Sequence, residues 1–303
     1  MSAFLRIQGT EIADTFAEAF PMTAARVIVT ADTPGWARIA AQEVCGYASS
    51  VIGCDCEAGI DEELDEADTP DGRPGIALLF FAFNRDALQK ALINRVGQCI
   101  LTCATTACYN GLPLTDKSIR IGGNLRYFGD GRQLAKLHDG KRFWRLPTMD
   151  GEFLCEDHFG TVKGVAGGNI ILLGERQRGT LEAAERAVIV AAKILGVILP
   201  FPGGIVRSGS KVGSKYKALK ASTNEAYCPT LRGVVPSELP PGVNAVYELV
   251  FDGLTLEAVA AAMKAAILAA AGPGIVRITA GNYGGKLGPH HLRLHEILSG
   301  VGD

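Results

Sequence analysis

Pro200 to Pro229, PFPGGIVRSGSKVGSKYKALKASTNEAYCP, is the stretch of this chain whose residue types best suit ligand chemistry. It lies in a window, Arg186 to Asn224, that holds no Asp or Glu but carries Arg186, Lys193, Arg207, Lys211, Lys215, Lys217 and Lys220, in a chain of formal net charge -2. Gly203, Gly204, Gly209 and Gly213 let backbone approach a bound group closely, and Ser208, Ser210 and Ser214 add hydroxyl donors. That mixture suits an extended anionic small molecule. A solvated basic surface with flexible glycines is the other reading of the same residues.

One carboxylate also stands out. Glu248 interrupts the apolar run AVYELVF, where strand alternation puts Val246, Glu248 and Val250 on one face and Tyr247, Leu249 and Phe251 on the other. If the Val246 face turns inward, desolvation raises the carboxyl's pKa and makes it a proton carrier near neutrality; if that face is wet, Glu248 is an ordinary polar residue on a sheet. GNYGGKLG, Gly281 to Gly288, follows another strand-like run and reads either as a tight connection or as backbone lying against a bound ring or phosphate.

Other chemistries find no motif. Gly285-Lys286 is followed by Leu287, so there is no Walker loop, and no GxGxxG joins a strand to a helix. No GxSxG elbow supports a serine hydrolase. His291 and His295 have the spacing of a helical metal pair, yet HHLRLHEIL alternates as a half-buried strand does, and His138 and His158 stand alone. The cysteines, Cys45, Cys54, Cys56, Cys99, Cys103, Cys108, Cys155 and Cys228, lack zinc spacing and read as reduced, mostly buried thiols.

Four helices have start and stop signals: Thr33 to Gly46 with Pro34 at the first helical position, Asn84 to Gly97, Thr180 to Gly196, and Thr255 to Gly272. Strand-like runs flank each: ARVIVTA and SSVIGCD, GIALLFFAF and QCILTCATT, GGNIILLGE and GVILPF, AVYELVFDG and GIVRITAG. Each half thus reads βαβ, βαβ, an α+β chain of two ferredoxin-like (split βαβ) lobes whose antiparallel sheets are each covered by helices on one face. The bare face of such a sheet wants a cover, from the other lobe or another subunit. At 303 residues two lobes are expected, with the boundary near Thr148: 1–148, including linking hairpins within Tyr109 to Lys163, and 149–303. Asp55 to Asp71 holds nine acids and no Lys or Arg, which predicts a long solvated loop. Apolar residues at 48% and charged residues at 20% describe a folded globular protein. Neither an apolar leader in MSAFLRIQGTEIADTF nor an unbroken membrane-length apolar run is visible, so a cytoplasmic protein without membrane or nucleic-acid partners is expected.

Eight blocks resemble a known family in order along the chain. TFAEAF (15–20), TPDGRPG (69–75), FGDG (128–131), GVAGGN (164–169), PFPGGIVRSGSKVGSK (200–215), ASTNEAYCP (221–229), VYELV (246–250) and AGNYGGKLG (280–288) are similar to the formylmethanofuran:tetrahydromethanopterin N-formyltransferase family. The resemblance implies a two-lobed homotetramer that moves a formyl group between the amine of a methanofuran-type carrier and N5 of tetrahydromethanopterin, with no metal or prosthetic group. It implies Glu248 as the catalytic carboxylate, and Gly203, Gly204, Arg207, Ser208, Ser210, Lys211, Lys215, Asn224, Tyr227, Asn282 and Lys286 as substrate-binding residues, with glycine N–H groups or Asn282 toward the oxyanion. Lacking the heavy acidic excess of methanogen members, the chain looks more like the version in aerobic methylotrophic bacteria. There the family member works with other subunits of a formyltransferase/hydrolase complex, in formaldehyde oxidation toward formate. A non-catalytic scaffold that holds a carrier for such subunits, and direct hydrolysis of the formyl carrier, are the competing functions.

Overall fold

A computed structural model describes residues 5–300 of the chain; residues 1–4 of the N-terminal stretch read above lie outside the described residues. Contacts divide the chain into two compact units, one of residues 22–164 and one joining the residues up to Pro21 to those from Val165 onward. This partition is discontinuous where the sequence suggested a single cut at 148. The hairpin strands Lys141–Thr148 and Gly151–Glu156 pair with each other and, through Cys155 and Cys108, with Ala107–Asn110, which keeps residues 149–164 in the unit of residues 22–164. Thr10–Ile12 pairs in parallel with Ile275–Thr279, which carries the N-terminal residues into the other unit.

In the unit of residues 22–164 the strand order is Glu57–Leu64, Gly75–Ala82, Phe16–Thr30 (from Thr23) and Ala107–Asn110, all antiparallel. Second, third, first, fourth is the ferredoxin-like order that the repeated βαβ pattern predicts. Helices Pro34–Cys45 and Arg85–Arg95 bury Ala37, Ala40, Ala41, Val44, Leu88 and Leu92 against Ala25, Val27, Val29, Leu78 and Phe80. The opposite face, with Ile28, Ala77 and Tyr109, meets Phe143 from the hairpins. The caps form as read: Thr33 Oγ1 accepts from Trp36 N at 3.3 Å and Asn84 Oδ1 from Ala87 N at 2.9 Å.

Four expectations fail in this unit. SSVIGCD is a series of turns, and the strand is Glu57–Leu64, inside the acidic run expected to be a loop. The acids are matched from elsewhere: Arg26 reaches Asp61 at 2.6 Å and Glu62 at 2.8 Å, Arg38 pairs with Glu63, and Arg95 pairs with Asp55 at 2.5 Å. QCILTCATT is not a strand either. The helix does not end at Gly97; a π-helical turn, Val96–Ile100, follows it, with Leu101 N donating to Val96 O at 2.8 Å. Gly97 lies close against Leu125, where a Cβ would come within 3.2 Å of Leu125 Cδ2, so its smallness serves packing rather than termination.

In the other unit the order is Val197–Ile198, Ala245–Gly253, Val162–Gly174 (from Val165) and Ile275–Thr279, again antiparallel and again second, third, first, fourth. Helices Gln177–Ala191 and Leu256–Ala270 cover one face with alanine-rich stripes, Ala183, Ala184, Ala187, Ala262, Ala266 and Ala270, over Ile170, Leu172, Leu249, Phe251 and Ile278. Thr255 caps the second helix, accepting from Ala258 N at 3.1 Å. The first begins at Gln177, not Thr180: Thr180 is buried in its first turn and its hydroxyl donates to Arg176 O at 2.7 Å instead of capping. HHLRLHEIL is strand only over His290–Arg293, after which Leu294–Ser299 is helical and His295 Nε2 contacts Ile12 O at 2.9 Å. The sheet's second face is covered by the chain itself. Leu239 and Val243, from the long connection after Val197–Ile198, pack on Ile171, Leu173 and Val246. Among the described residues no helix is long and apolar enough to cross a membrane.

Candidate active site

That connection does not seal the sheet face completely. Two adjoining hollows remain, about 540 and 490 Å³, sharing Ile171, Asn224, Tyr227 and Glu248 as walls or floor. The floor follows from strand register. Glu248 stands beside Ile171, and Ile171 beside Thr279; one row along, Val246 is followed by Leu173 and Arg277. Period-2 alternation sends these side chains to the face away from the helices, while Leu249 and Phe251 enter the helix-covered core. The backbone of Glu248 is clamped on its other edge as well: Val206 N donates to Glu248 O at 2.7 Å and Glu248 N to Val206 O at 3.0 Å.

The Glu248 carboxyl makes no hydrogen bond or ion pair among the described residues, and burial pushes its pKa up to about 7. Glu248 is half-buried on the floor of both hollows, and the burial it has raises its carboxyl in the direction that the desolvated reading expects. A carboxyl so tuned exists in both protonation states at neutral pH, the property a proton carrier needs.

The walls come from three segments. Ser210–Val212 pairs with Ala221–Thr223 as a short hairpin and brings Ser210 and Lys211 to the larger hollow. The turn Glu225–Tyr227 follows, flanked by Asn224. The loop Gly281–Tyr283 closes the opposite side, where Asn169 grips Gly281 by both its N–H (2.6 Å) and its carbonyl (3.3 Å). Arg207, Ser208 and Gly209 line the smaller hollow. Arg207 is exposed and makes no ion pair among the described residues, whereas Lys211 is paired with Glu225. The Tyr227 phenol bonds the Thr279 side chain; burial first, then the Glu238 charge, raise its pKa against the lowering effects of Thr279 and Arg277.

Glu248, Arg207, Ser208, Ser210, Lys211, Asn224, Tyr227 and Asn282 are therefore brought together around one space. Gly203, Gly204, Lys215 and Lys286 line neither hollow. Gly203 and Gly204 form a turn with φ of 63° and 76°, and a Cβ on Gly204 would come within 2.9 Å of Val188, so the close approach is to a helix rather than to a ligand. Lys215 and Lys286 are exposed. The amide of Asn282 is engaged within the chain: Nδ2 donates to Thr15 Oγ1 at 3.1 Å and Phe16 O at 3.2 Å, and Oδ1 accepts from Gly284 N at 3.2 Å. It braces the loop and is not free to meet an oxyanion.

Arg277 escaped the sequence reading although its signal matched that of Glu248, a charge interrupting an apolar strand. It lines the larger hollow, held by Glu11 at 2.8 Å. Among the described residues no group of three or more His, Cys, Asp or Glu could hold a metal ion.

Comparison with known proteins bears on this geometry. The protein-family model described as "Formylmethanofuran-tetrahydromethanopterin formyltransferase" matches residues 5–148, and that described as "FTR, proximal lobe" matches 151–297. The chain is 55% identical over 297 residues to a formylmethanofuran–tetrahydromethanopterin formyltransferase of Methylococcus capsulatus, covering 97% of this chain and 99% of the relative. It is also 55% identical over 302 residues to a component of the formyltransferase/hydrolase complex of Methylorubrum extorquens, covering 96% and 97% of the two. Among solved structures it resembles a chain of the Methylorubrum extorquens formyltransferase/hydrolase complex crystallised with methylofuran, with a TM-score of 0.94, 53% identity and coverage of 98% and 99%. The formyltransferase of Methanosarcina barkeri gives a TM-score of 0.92 at 48% identity, over 97% and 100% of the chains.

Proposed function

Because the chain belongs to the formylmethanofuran–tetrahydromethanopterin formyltransferase family, we propose that it moves a formyl group between a methanofuran-type amine carrier and N5 of tetrahydromethanopterin, in the hollow above Glu248. The observation that carries the mechanism is the Glu248 carboxyl, unpartnered among the described residues and titrating near pH 7. The lone pair of N5 attacks the formamide carbon, a C–N bond forms, and the carbonyl becomes an oxyanion. The neutral carboxyl gives its proton to the carrier nitrogen, the old C–N bond breaks, and the resulting carboxylate takes the proton that N5 must shed. Electrons and protons balance without any further reagent. Water would divert the formyl group to formate, which favours a walled hollow over an open surface.

Arg207 supplies positive charge for the anionic tails of such carriers, and Lys211 and Arg277, ion-paired with Glu225 and Glu11, contribute less. Replacing Arg207 with Ala is expected to raise KM for the formyl carrier about fivefold, roughly 1 kcal/mol for an exposed charge contact, and to flatten the dependence of KM on salt. Equal KM and equal salt dependence in the variant would return Arg207 to the solvated surface.

The decisive assay gives the purified chain formylated carrier and tetrahydromethanopterin. Formyl transfer that requires the pterin is the expected result. Binding of carrier without transfer would favour a scaffold role, and formate release without pterin would favour hydrolysis. Cytoplasmic location belongs to the same proposal and is supported by eight cysteines that are all free thiols. So does assembly as a homotetramer, which light scattering of the purified protein tests, together with association with other subunits of the kind named for the Methylorubrum extorquens complex.

A further inference from the structure

The loop that closes the hollow has an anchor outside it. Glu18, on the strand Phe16–Thr30, is 3% exposed and lies before that strand leaves the unit carrying the hollow. Its Oε2 accepts from Tyr283 N at 2.7 Å and Gly285 N at 3.1 Å; its Oε1 accepts from Gly288 N at 2.8 Å and from Leu287 N. Four main-chain N–H groups within six residues thus converge on one carboxylate, an arrangement usually met around a bound phosphate or other anion. The loop needs special conformations to do this. Gly284 and Gly285 have φ of 69° and 73°, and a Cβ on Gly288 would lie 2.1 Å from Ala19 O. The same loop supplies Asn282 and Tyr283 to the hollow, and the Tyr283 hydroxyl meets Ser210 O at 3.4 Å on the opposite wall.

We propose that Glu18 is a positioning residue for formyl transfer: its carboxylate is a built-in anion around which residues 283–288 wrap, and this wrapping holds Tyr283 across the hollow beside Glu248. The proposal rests on the formyl-transfer reading of the hollow. Its support is geometric, and the electrostatics agree. Burial pulls the Glu18 pKa upward, but the N–H groups of Tyr283, Gly288, Leu287 and Gly285 together bring it below the ordinary value, so the anion is the form the loop requires. Burial first, then the charges of Glu248 and Glu18, raise the Tyr283 phenol, which sets it electrically between the two carboxyls. If the side chain is cut back, the four N–H groups lose their acceptor and are left to water or unpaired.

The test uses Glu18→Ala and Glu18→Asp in the full chain. Glu18→Ala is expected to lower kcat at least tenfold while the protein still melts cooperatively; Glu18→Asp should recover part of that loss. Acetate, a carboxylate small enough to occupy the vacated cradle, should restore kcat of Glu18→Ala in a saturable way and leave the parent unchanged. A loss that neither Asp nor acetate repairs, or wild-type kcat in Glu18→Ala, overturns the proposal. Hydrogen exchange provides a readout independent of catalysis. The amides of Tyr283, Gly285, Leu287 and Gly288 should exchange at least tenfold faster in Glu18→Ala and slow again with acetate; unchanged protection overturns the proposal even if the parent transfers formyl groups. Should the parent transfer none, the functional reading falls on its own, and the exchange data still decide whether Glu18 organises the loop. If Glu18→Ala does not fold, Gly285→Ala, strained at a positive φ and close to His291, is expected to lower kcat in the same way, and unaltered kcat there counts against the idea.

Discussion

Glu248→Gln is expected to abolish most formyl transfer, by roughly 10²- to 10⁴-fold, the usual contribution of a positioned proton donor and acceptor. The substitution keeps the shape of the side chain and its place beside Ile171 but can neither release nor accept the proton that separates reactants from products. Carrier binding should persist, so the loss falls on kcat. With a pKa of about 7, the acid form dominates below neutrality and disappears above it. Parent kcat should therefore decline about tenfold per pH unit on the alkaline side of 7, while the residual rate of Glu248→Gln lacks that limb.

The same variant should be the more stable protein in alkali. The carboxyl titrates near 4.5 in ordinary surroundings and near 7 when folded, so the folded chain binds this proton more tightly than the unfolded one. Acid thus favours the fold, the advantage drains away between pH 4.5 and 7, and above 7 the full cost of a desolvated carboxylate remains. Glutamine has nothing to titrate. Melting curves of the two proteins should coincide near pH 4 relative to a common reference and diverge in favour of Glu248→Gln by pH 8. A parent that melts higher at pH 8, or a variant with undiminished kcat, removes Glu248 from the mechanism.

Arg95→Leu is expected to lower the stability of the chain by about 2–4 kcal/mol, because a nearly buried guanidinium is replaced by a group with no donors. Arg95 is 8% exposed and donates to Val44 O at 2.7 Å, Gly46 O at 2.8 Å and Tyr47 O at 2.9 Å, besides pairing with Asp55. Those carbonyls are the end of the helix Pro34–Cys45 and the turn after it, and no helix-internal donor remains for them. Arg178→Leu is the control: its partner Glu182 is one helical turn away and its side chain is 93% exposed, so its loss should change stability by less than about 0.5 kcal/mol. Thermal unfolding of both variants checks the contrast. Equal melting temperatures would mean that the Arg95 contacts add nothing to the fold.

The ionic bond at Arg95 also marks where the sequence stopped being readable. Caps at Thr33, Asn84 and Thr255 are local chemistry, settled by a side chain and an N–H three residues on, and they were visible in the residue order. The twofold βαβ pattern was visible for the same reason. Glu57–Leu64 was not, because Asp61, Glu62 and Glu63 within it are neutralised by Arg26 and Arg38, each far away along the chain. A run of acids predicts solvent only when nothing distant answers it. At the hollow, alternation correctly sent Glu248 to the face opposite Leu249, and the identical pattern around Arg277 carried the same signal. The basic window was legible as composition, but which of its cations reach the hollow depends on how a hairpin folds back: Arg207 and Lys211 do, Lys215 does not. Asn282 and Glu18 were opaque since their partners, Thr15 and Tyr283 to Gly288, lie more than 260 positions away.

Both units share one strand order, yet differ in the link between their second and third strands. It spans Asp65 to Pro74 in one and Leu199 to Asn244 in the other, and the longer link lines part of both hollows. The longer connection thus builds, on one of two sheets of like order, the hairpin and turns that border Glu248. Rewriting that connection would change which cations and polar groups meet a bound carrier, whereas the strands beneath must keep Glu248 and Arg277 on the face away from the helices.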